Sequence, residues 1–311
     1  MKILLTGATG FVGSALLKRL LADPKADVAV AVRSENTRLA APTFCVGNLA
    51  PTTDWREALE GQEVVIHAAA RAHIMKNQVA DPLAEYRRVN VEAALNLARQ
   101  AATAGIRRFI FISSIGVNGN LNSQPFTEED QPNPVEPYAQ SKWEAEQGLQ
   151  QLATQTGMQV VIIRPPLVYG PKAPGNFGRL LHWVEKGLPL PLGAVHNQRS
   201  LVAIDNLVDL IVTCVDHPAA ANQVFLAGDG QDLTTTQLLQ GLAQAMGKPS
   251  RLIPIPAGLL MLGASILGKK ALALRLLGSL QVDISKAKKL LGWQPPITLE
   301  QGLQKAASRK V

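Results

Sequence analysis

Cysteine is almost missing from this chain, with only two in 311 residues. Cys45 and Cys214 lie in apolar surroundings without metal-ligand spacing, which excludes a disulfide framework and reads as two buried thiols in a reducing compartment. His67, His73 and His196 have no partner at metal-binding spacing, so no metal site is expected; His67 either lines a cleft or is simply buried. A net charge of +7 raises the question of nucleic acid. Yet the lysines and arginines are dispersed, with no basic run and no aromatic-basic interleaving, and an anionic small molecule accounts for the charge as well. No apolar run reaches the about 20 residues needed to span a bilayer. The nearest, Ile253 to Leu280, is broken by Lys269, Lys270 and Arg275. Helices buried in a C-terminal lobe are expected there, and the alternative is a patch against a membrane surface or a glycosyltransferase partner. The N-terminus opens on a core strand, not on a charged and then apolar leader, which points to the cytoplasm. Repeats and low-complexity stretches are lacking too.

What is present is a pair of motifs. Lys2-Ile-Leu-Leu5 is a strand-type apolar run, Thr6-Gly7-Ala8-Thr9-Gly10-Phe11-Val12-Gly13 follows it, and Ser14 to Leu21 has helical periodicity. Strand, glycine turn and helix in that order form a dinucleotide-binding fingerprint. Gly7 permits the tight turn, Gly10 lets the backbone approach a pyrophosphate, and Gly13 lets helix and strand pack closely. Downstream stands Tyr138-Ala-Gln-Ser-Lys142. Four residues apart on a helix, the tyrosine and lysine share a face, so the ammonium can stabilise a phenolate. A free tyrosine ionises near pH ~10, and bringing that to neutrality takes about 4 kcal/mol of electrostatic help. A proton donor beside a dinucleotide indicates a redox enzyme.

The chain length suits one large α/β domain with a lobe. Strand-like runs at Lys2 to Thr6, Val28 to Val32, Phe44 to Val46, Val64 to His67, Phe109 to Ser113 and Val160 to Arg164 alternate with helical stretches. That pattern predicts an α/β fold with a Rossmann doubly wound parallel sheet over residues 1–170. A smaller C-terminal lobe should occupy mainly residues 171–311, with a strand returning to the sheet at 223–227. Helices expected at Val89 to Ala104 and Tyr138 to Thr156 should share one face of the sheet. Paired across a twofold axis they would make a four-helix bundle, hence a homodimer.

Further motifs extend the pattern: His67-Ala-Ala-Ala70, Val89-Asn90, Ser113-Ser114 and Arg164-Pro-Pro-Leu-Val-Tyr-Gly-Pro171. With these the chain resembles, nearly end to end, the extended short-chain dehydrogenase/reductase family, in the branch of UDP-glucose 4-epimerase and related nucleotide-sugar enzymes. The resemblance implies that Ser114, Tyr138 and Lys142 form the catalytic group. Ser114 would hydrogen-bond the substrate oxygen and Tyr138 would pass a proton, while Lys142 lowers the tyrosine pKa and holds the nicotinamide ribose. It further implies cofactor contacts at Gly7, Thr9, Gly10, Phe11, Val12, Gly13, Arg33, Ser34, Asn48, Leu49, Ala68, Ala69, Ala70, Asn90 and Pro165, besides Tyr138 and Lys142. For a UDP-sugar it implies Ser114, Asn176 and Arg199, the last standing before a strand and an Asp205-capped helix. Arg275 is a second phosphate contact or an ordinary surface arginine. Two departures stand out: Val117-Asn118-Gly119 lacks the family's aromatic near the sugar, and Gly47-Asn48-Leu49 has Asn where similar proteins have Asp.

At the end of the second strand an NAD enzyme would place Asp or Glu on the ribose hydroxyls, and here stand Arg33 and Ser34. A guanidinium pairs with a 2′-phosphate where an acid would repel it, so NADP(H) is favoured, with NAD(H) still allowed if Arg33 only stacks on adenine. The chain looks most like bacterial O-antigen reductases that make UDP-N-acetylquinovosamine. The expected reaction is therefore NADPH reduction of the C4 ketone of a UDP-4-keto-6-deoxy-N-acetylhexosamine. The alternatives are a UDP-glucose or UDP-N-acetylglucosamine 4-epimerase with bound NAD, and a non-catalytic NADP-binding scaffold or sensor.

Overall fold

The computed structural model describes residues 1–35, 37, 39–72 and 81–308; His73 lies outside them. The chain opens β1 (Lys2–Thr6), α1 (Phe11–Leu21), β2 (Asp27–Val32), β3 (Thr43–Cys45), α2 (Arg56–Leu59) and β4 (Val64–His67). It continues α3 (Pro82–Tyr86), a π-type turn at Arg87–Glu92, α4 (Ala93–Thr103), β5 (Arg108–Ile112), α5 (Pro137–Thr156) and β6 (Gln159–Arg164). The remainder alternates between two sheets: β7 (Leu167–Tyr169), α6 (Gly175–Glu185), β8 (Arg199–Ala203), α7 (Ile204–Asp216), β9 (Val224–Leu226), β10 (Asp232–Leu233) and α8 (Thr235–Ala245). Four helices close the chain: α9 (Ala257–Ile266), α10 (Lys270–Leu277), α11 (Ser285–Leu291) and α12 (Leu299–Ala307).

The main sheet runs β3-β2-β1-β4-β5-β6-β9, and every pairing in it is parallel. Strands covered on both faces read as continuous apolar runs, and β4 and β5 are buried at every position. One face is covered by α1, α7 and α11, the other by α2, α4 and α5. The expected parallel, doubly wound sheet is what forms. The strand order reverses between β1 and β4, where Thr6 lies beside His67. Crevices at such reversal points, beyond the carboxyl ends of the strands, are where ligands bind in open α/β sheets. The lobe is a three-stranded sheet, β10-β8-β7, with α6, α8 and α12 packed round a core of its own. Segments 280–282 bridge to Arg199 and Phe126, tying the lobe to the loops above the main sheet.

Four expectations need correction. Cys45 is exposed, because β3 is the three-residue edge strand and nothing covers its outer side. The helix expected from Val89 begins earlier, at Pro82 with an Asp81 cap, and passes through the π turn before α4. Asp205 does not cap α7: the cap is Ala203, and Asp205 lies in the first turn, where the helix dipole favours it and Lys305 pairs with it at 2.6 Å. The 253–280 segment is buried only in part: α10 buries Ala273 and sets Leu276 and Leu277 against the lobe core, while α9 stays outside. No residue of α9 is buried, since α6, α8 and α12 already close the lobe core and Leu260 alone of α9 packs against it. Among the described residues no helix is long and apolar enough to cross a membrane.

One core residue makes folding sensitive to acid. The His67 ring lies 6.0 Å from both Phe109 and Phe111, and its Nδ1 shares a 2.8 Å hydrogen bond with Thr6 Oγ1. Burial, with the Lys142 charge second, pushes its pKa down to about 3. In the unfolded chain the same ring titrates near pH ~6.5, so between these values the unfolded state holds a proton that the folded state lacks. Stability is undiminished by this residue above pH ~6.5 and is lost as pH falls towards ~3, by up to about 5 kcal/mol. Urea unfolding across that window should give a flatter pH dependence for His67→Gln than for wild type. Parallel curves would place the acid sensitivity elsewhere.

Candidate active site

The crevice is shaped first by glycine. Gly7 has φ +77°, and a Cβ there would lie 2.6 Å from the Ala69 nitrogen, so the register of β1 against β4 leaves no room for a side chain. A Cβ on Gly13 would lie 2.0 Å from the Gly7 carbonyl oxygen, so the missing side chain lets α1 start directly against the turn. The extended residue Gly10 precedes α1; no side chain caps the helix and its first turn holds no acid. The leading N–H groups, around Phe11, Val12 and Gly13, are thus available to an anion at the positive end of the helix dipole. Phe11 packs against both the sheet core and the lobe core, and Val12 against the first alone. Thr9 is exposed on the turn and Ala68, Ala69 and Ala70 form the opposite lip, the first two half-buried. These features fit a dinucleotide: a backbone cradle that a Cβ would fill, an uncapped helix start and a small-residue lip. Arg33 and Ser34 stand exposed just past β2, while past β3 Asn48 precedes the half-buried Leu49, which packs under the second core. Asn90 sits in the π turn and is fully buried. Its amide binds the Arg71 backbone at both ends and donates to Ser141 Oγ at 3.0 Å, so it ties the lip to α5.

Ser114 follows β5 and caps a short turn, its Oγ accepting from the Gly116 N–H at 3.1 Å. With that lone pair engaged, its O–H can donate into the space above the sheet. Tyr138 lies in the first turn of α5, directly after Pro137, and its ring meets Tyr86 edge-on at 5.8 Å. Burial, with Tyr86 second, pushes its pKa up to about 12. Ionising it at neutral pH thus takes about 7 kcal/mol, more than for a free tyrosine. On this chain the nearby sources of help are the α5 N-terminus and Lys142 one turn further. Lys142 is fully buried, donates to the Ile112 carbonyl at 2.8 Å and lies 4.3 Å above the Phe111 ring. Burial pushes its pKa down to about 7, and the Glu146 charge opposes that fall.

Ser114 and Tyr138 open into a cavity of about 1080 Å³ that is continuous with solvent. Asn176, Arg199, Arg275 and Pro165 line the same cavity, so the sequence-derived substrate residues converge. Apolar walls come from Leu180, Leu201, Leu238 and Leu276. Arg199 donates to the Gly278 carbonyl at 3.0 Å and pairs with no carboxylate among the described residues; burial pulls its pKa down. A desolvated guanidinium facing a cavity without a partner acid is poised for an anion. Arg275 is at the exposed rim, paired with Glu136, and Asn176 accepts from Arg179.

A protein-family comparison matches residues 3–228 to the NAD dependent epimerase/dehydratase family. The chain belongs to that family. It is 49% identical, over 98% of its length and 94% of the other's, to a UDP-glucose 4-epimerase of Vibrio cholerae. To the N-acetyl-alpha-D-glucosaminyl-diphospho-ditrans,octacis-undecaprenol 4-epimerase of Escherichia coli O157:H7 it is 29% identical, over 97% and 93%. Among solved structures it resembles the UDP-glucose 4-epimerase of Thermus thermophilus in complex with NAD, with a TM-score of 0.77, 26% identity and coverage of 99% and 98%.

Within this epimerase/dehydratase chain, the residues that sequence reasoning missed lie behind the site. Glu146, fully buried, forms a 2.6 Å ion pair with Arg164 of β6 and accepts from Ser113. The spacing 138, 142, 146 is the signal for it, each residue one turn apart on one face of α5. Arg164 also donates to Asn118 Oδ1 at 2.9 Å. The departure at Asn118 thereby gains a reason: the side chain is buried against Arg164, and Gly119 and Asn120 face the cavity instead. Buried Asn197 is a second such hub, joining the Thr235 nitrogen at 2.8 Å and the Gly278 carbonyl at 2.9 Å, so that α8, α10 and the Arg199 strand enclose the cavity together. Glu146→Ala should lower stability by about 3–5 kcal/mol in urea unfolding, because Arg164 is left buried and unpaired. The double variant Glu146→Leu with Arg164→Met should recover most of that loss. Additive losses would mean that the pair is not the coupled unit.

Proposed function

We propose that this chain is a UDP-hexose 4-epimerase that works on a retained NAD. The observation that carries this is the 49% identity, over almost the whole of both chains, to a UDP-glucose 4-epimerase. The second relative supports the same chemistry, since both names describe inversion at C4 of a hexose joined to a diphosphate. Arg199 supplies a half-buried cation, unpaired with any carboxylate among the described residues, of the kind a diphosphate needs, and Asn176 and Arg275 share the cavity wall with it. The comparison structure with NAD supports that cofactor for the crevice above the glycine turn.

When bound, NAD supplies a reversible acceptor for the hydride at C4. The chain's part is proton handling and positioning. Tyr138, as the phenolate, takes the proton from the C4 hydroxyl as the carbonyl forms, and gives it back when the hydride returns to the opposite face. Ser114 donates to that oxygen throughout. Lys142 would place positive charge one helical turn from Tyr138, and the Glu146 charge opposes the loss of its proton that burial favours. The leucine walls grip the keto sugar weakly, so it can turn over between the two transfers while Arg199 holds the diphosphate. One C–H and one O–H bond break and re-form, with no net oxidation.

A second reading is favoured by Arg33 and Ser34, which stand exposed where an acid would select NAD. On that reading the chain draws hydride from NADPH and reduces a UDP-4-keto-6-deoxy-N-acetylhexosamine, with Tyr138 donating the proton. One experiment separates the two. Purified protein given UDP-galactose and no added cofactor should form UDP-glucose, and acid denaturation should release NAD. Failure of both, with NADPH consumed only when a 4-keto UDP-sugar is supplied, would replace the epimerase by the reductase.

In the same assay Tyr138→Phe should lose about 10²–10⁴-fold in kcat with folding intact. Arg199→Gln should raise KM for the UDP-sugar by about tenfold or more with a smaller change in kcat. Pairing of α4 and α5 across a twofold axis completes the proposal. A homodimer should appear by sedimentation at micromolar concentration, and a monomer there would remove it.

A further inference from the structure

The lobe leaves one helix uncovered. α9 reads Ala-Gly-Leu-Leu-Met-Leu-Gly-Ala-Ser-Ile, without a charged residue. Leu259 is 61% exposed, Leu262 60% and Ile266 77%, and their spacing puts all three on one side of the helix. Leu267 follows the strip directly and Ile253 stands in the segment before the helix, both exposed. The helix's one polar side chain, Ser265, donates to the Met261 carbonyl at 2.8 Å, so the surface offers no polar side-chain group of its own. A strip of large apolar side chains in water on an otherwise well-packed chain marks a surface that something covers.

Charge identifies the cover. No Asp or Glu stands between Asp232 and Asp283, while Lys248, Arg251, Lys269, Lys270 and Arg275 all do. Lys269 and Lys270 follow α9 directly, are exposed, and pair with no carboxylate among the described residues. Arg275 is paired with Glu136, so the cations left beside the strip are Lys269 and Lys270, and an apolar strip ending in two such lysines is complementary to an anionic lipid surface: side chains enter the headgroup boundary and ammonium groups meet lipid phosphates. A second copy of this chain fits less well, because a twofold contact lays the same patch on itself and brings like charges together. We propose that α9 and its flanking lysines dock the C-terminal lobe on an anionic bilayer. Docking there has a consequence for the cavity: α10, packed against α9, carries Arg275 and Leu276 of the cavity wall, so the mouth is held close to the lipid surface.

Flotation of the full chain with vesicles tests this, and it reads binding instead of turnover, so it is decided independently of the epimerase reading. The protein should float with vesicles of equal parts phosphatidylglycerol and phosphatidylcholine, stay behind with phosphatidylcholine alone, and release in about 0.5 M salt. Leu259→Gln, Leu262→Gln and Ile266→Gln together should weaken flotation at least about tenfold, with far-UV circular dichroism and turnover of soluble UDP-sugar unchanged. Lys269→Gln with Lys270→Gln should weaken it in the same direction without touching the apolar strip. Absence of flotation on anionic vesicles, or equal flotation on neutral ones, overturns the proposal. So does a vesicle-free oligomer of the wild type that the triple variant dissolves, which would make the second copy the occupant.

Discussion

The site hangs on a charge pair that no solvent reaches. Arg164 and Glu146 are, respectively, 3% and 0% exposed as side chains, and taking both out of water costs several kcal/mol each unless every donor and acceptor is met. Here they largely are: Ser113 and Arg164 saturate the carboxylate, and Glu146 and Asn118 take the guanidinium. These partners belong to the ends of β5 and β6, to the turn after Ser114 and to α5. Such a pair tolerates little displacement, because any slip of α5 along the sheet would unpair a buried charge. The helix that carries Tyr138 and Lys142 is therefore locked in register two turns away from the phenol. Ser114 is fixed by the same cluster, between Ser113, which bonds Glu146, and Asn118, which bonds Arg164.

That lock explains how an unfavourable electrostatic arrangement persists. Burial pushes the Tyr138 phenol up to about 12 and the Lys142 ammonium down to about 7, so at neutral pH the neutral phenol is favoured and the amine is balanced between its forms, where the proposed chemistry wants both charged. Two features act against this without adding a mobile charge. The start of a twenty-residue helix lies under the phenol, and Glu146 supports the ammonium from behind. Lys142 therefore changes charge at little cost near neutral pH, while the phenol gives up its proton only as far as the helix start and the ammonium offset the about 7 kcal/mol that ionising it at neutral pH takes.

Much of this was legible in the sequence, and the limits are physical. The parallel sheet could be read because strands buried on both faces are written as unbroken apolar runs. Its glycine turn could be read because Gly7 and Gly13 answer to steric demands that no other residue meets. Ser114, Tyr138, Asn176 and Arg199 meet at one cavity as their motifs implied. What stayed hidden depends on contacts distant in sequence. Asn118 looked like a lost aromatic until Arg164, 46 residues away, proved to be its partner. Asn197 gave no local sign of joining α8 to the end of α10. Cys45 looked buried from its apolar neighbours, but burial belongs to a strand's place in the sheet, and β3 is at the edge. Within the 253–280 segment α10 packs on the lobe as expected, and α9 does not, for a related reason. Apolar composition says that a surface will be covered, and only the closed core of the lobe says that the cover is not this chain.

The proposed catalytic group does not by itself separate an epimerase from a reductase, since a serine, a phenol and an ammonium would serve hydride transfer in either direction. What differs is whether the coenzyme stays. A bound coenzyme's adenosine ribose would lie at the far end of the crevice, past the end of β2, and there this chain presents Arg33 and Ser34 on an exposed loop instead of an acid. A guanidinium in that place does not oblige the ribose to carry a phosphate, because its plane can stack on adenine and leave the hydroxyls to backbone groups. Under the epimerase reading, retention then falls to the glycine cradle, the α1 N-terminus and the lip that Asn90 pins to α5. These are groups set by the fold and indifferent to the ribose phosphate, which is why close likeness along the whole chain outweighs one arginine in choosing the reaction.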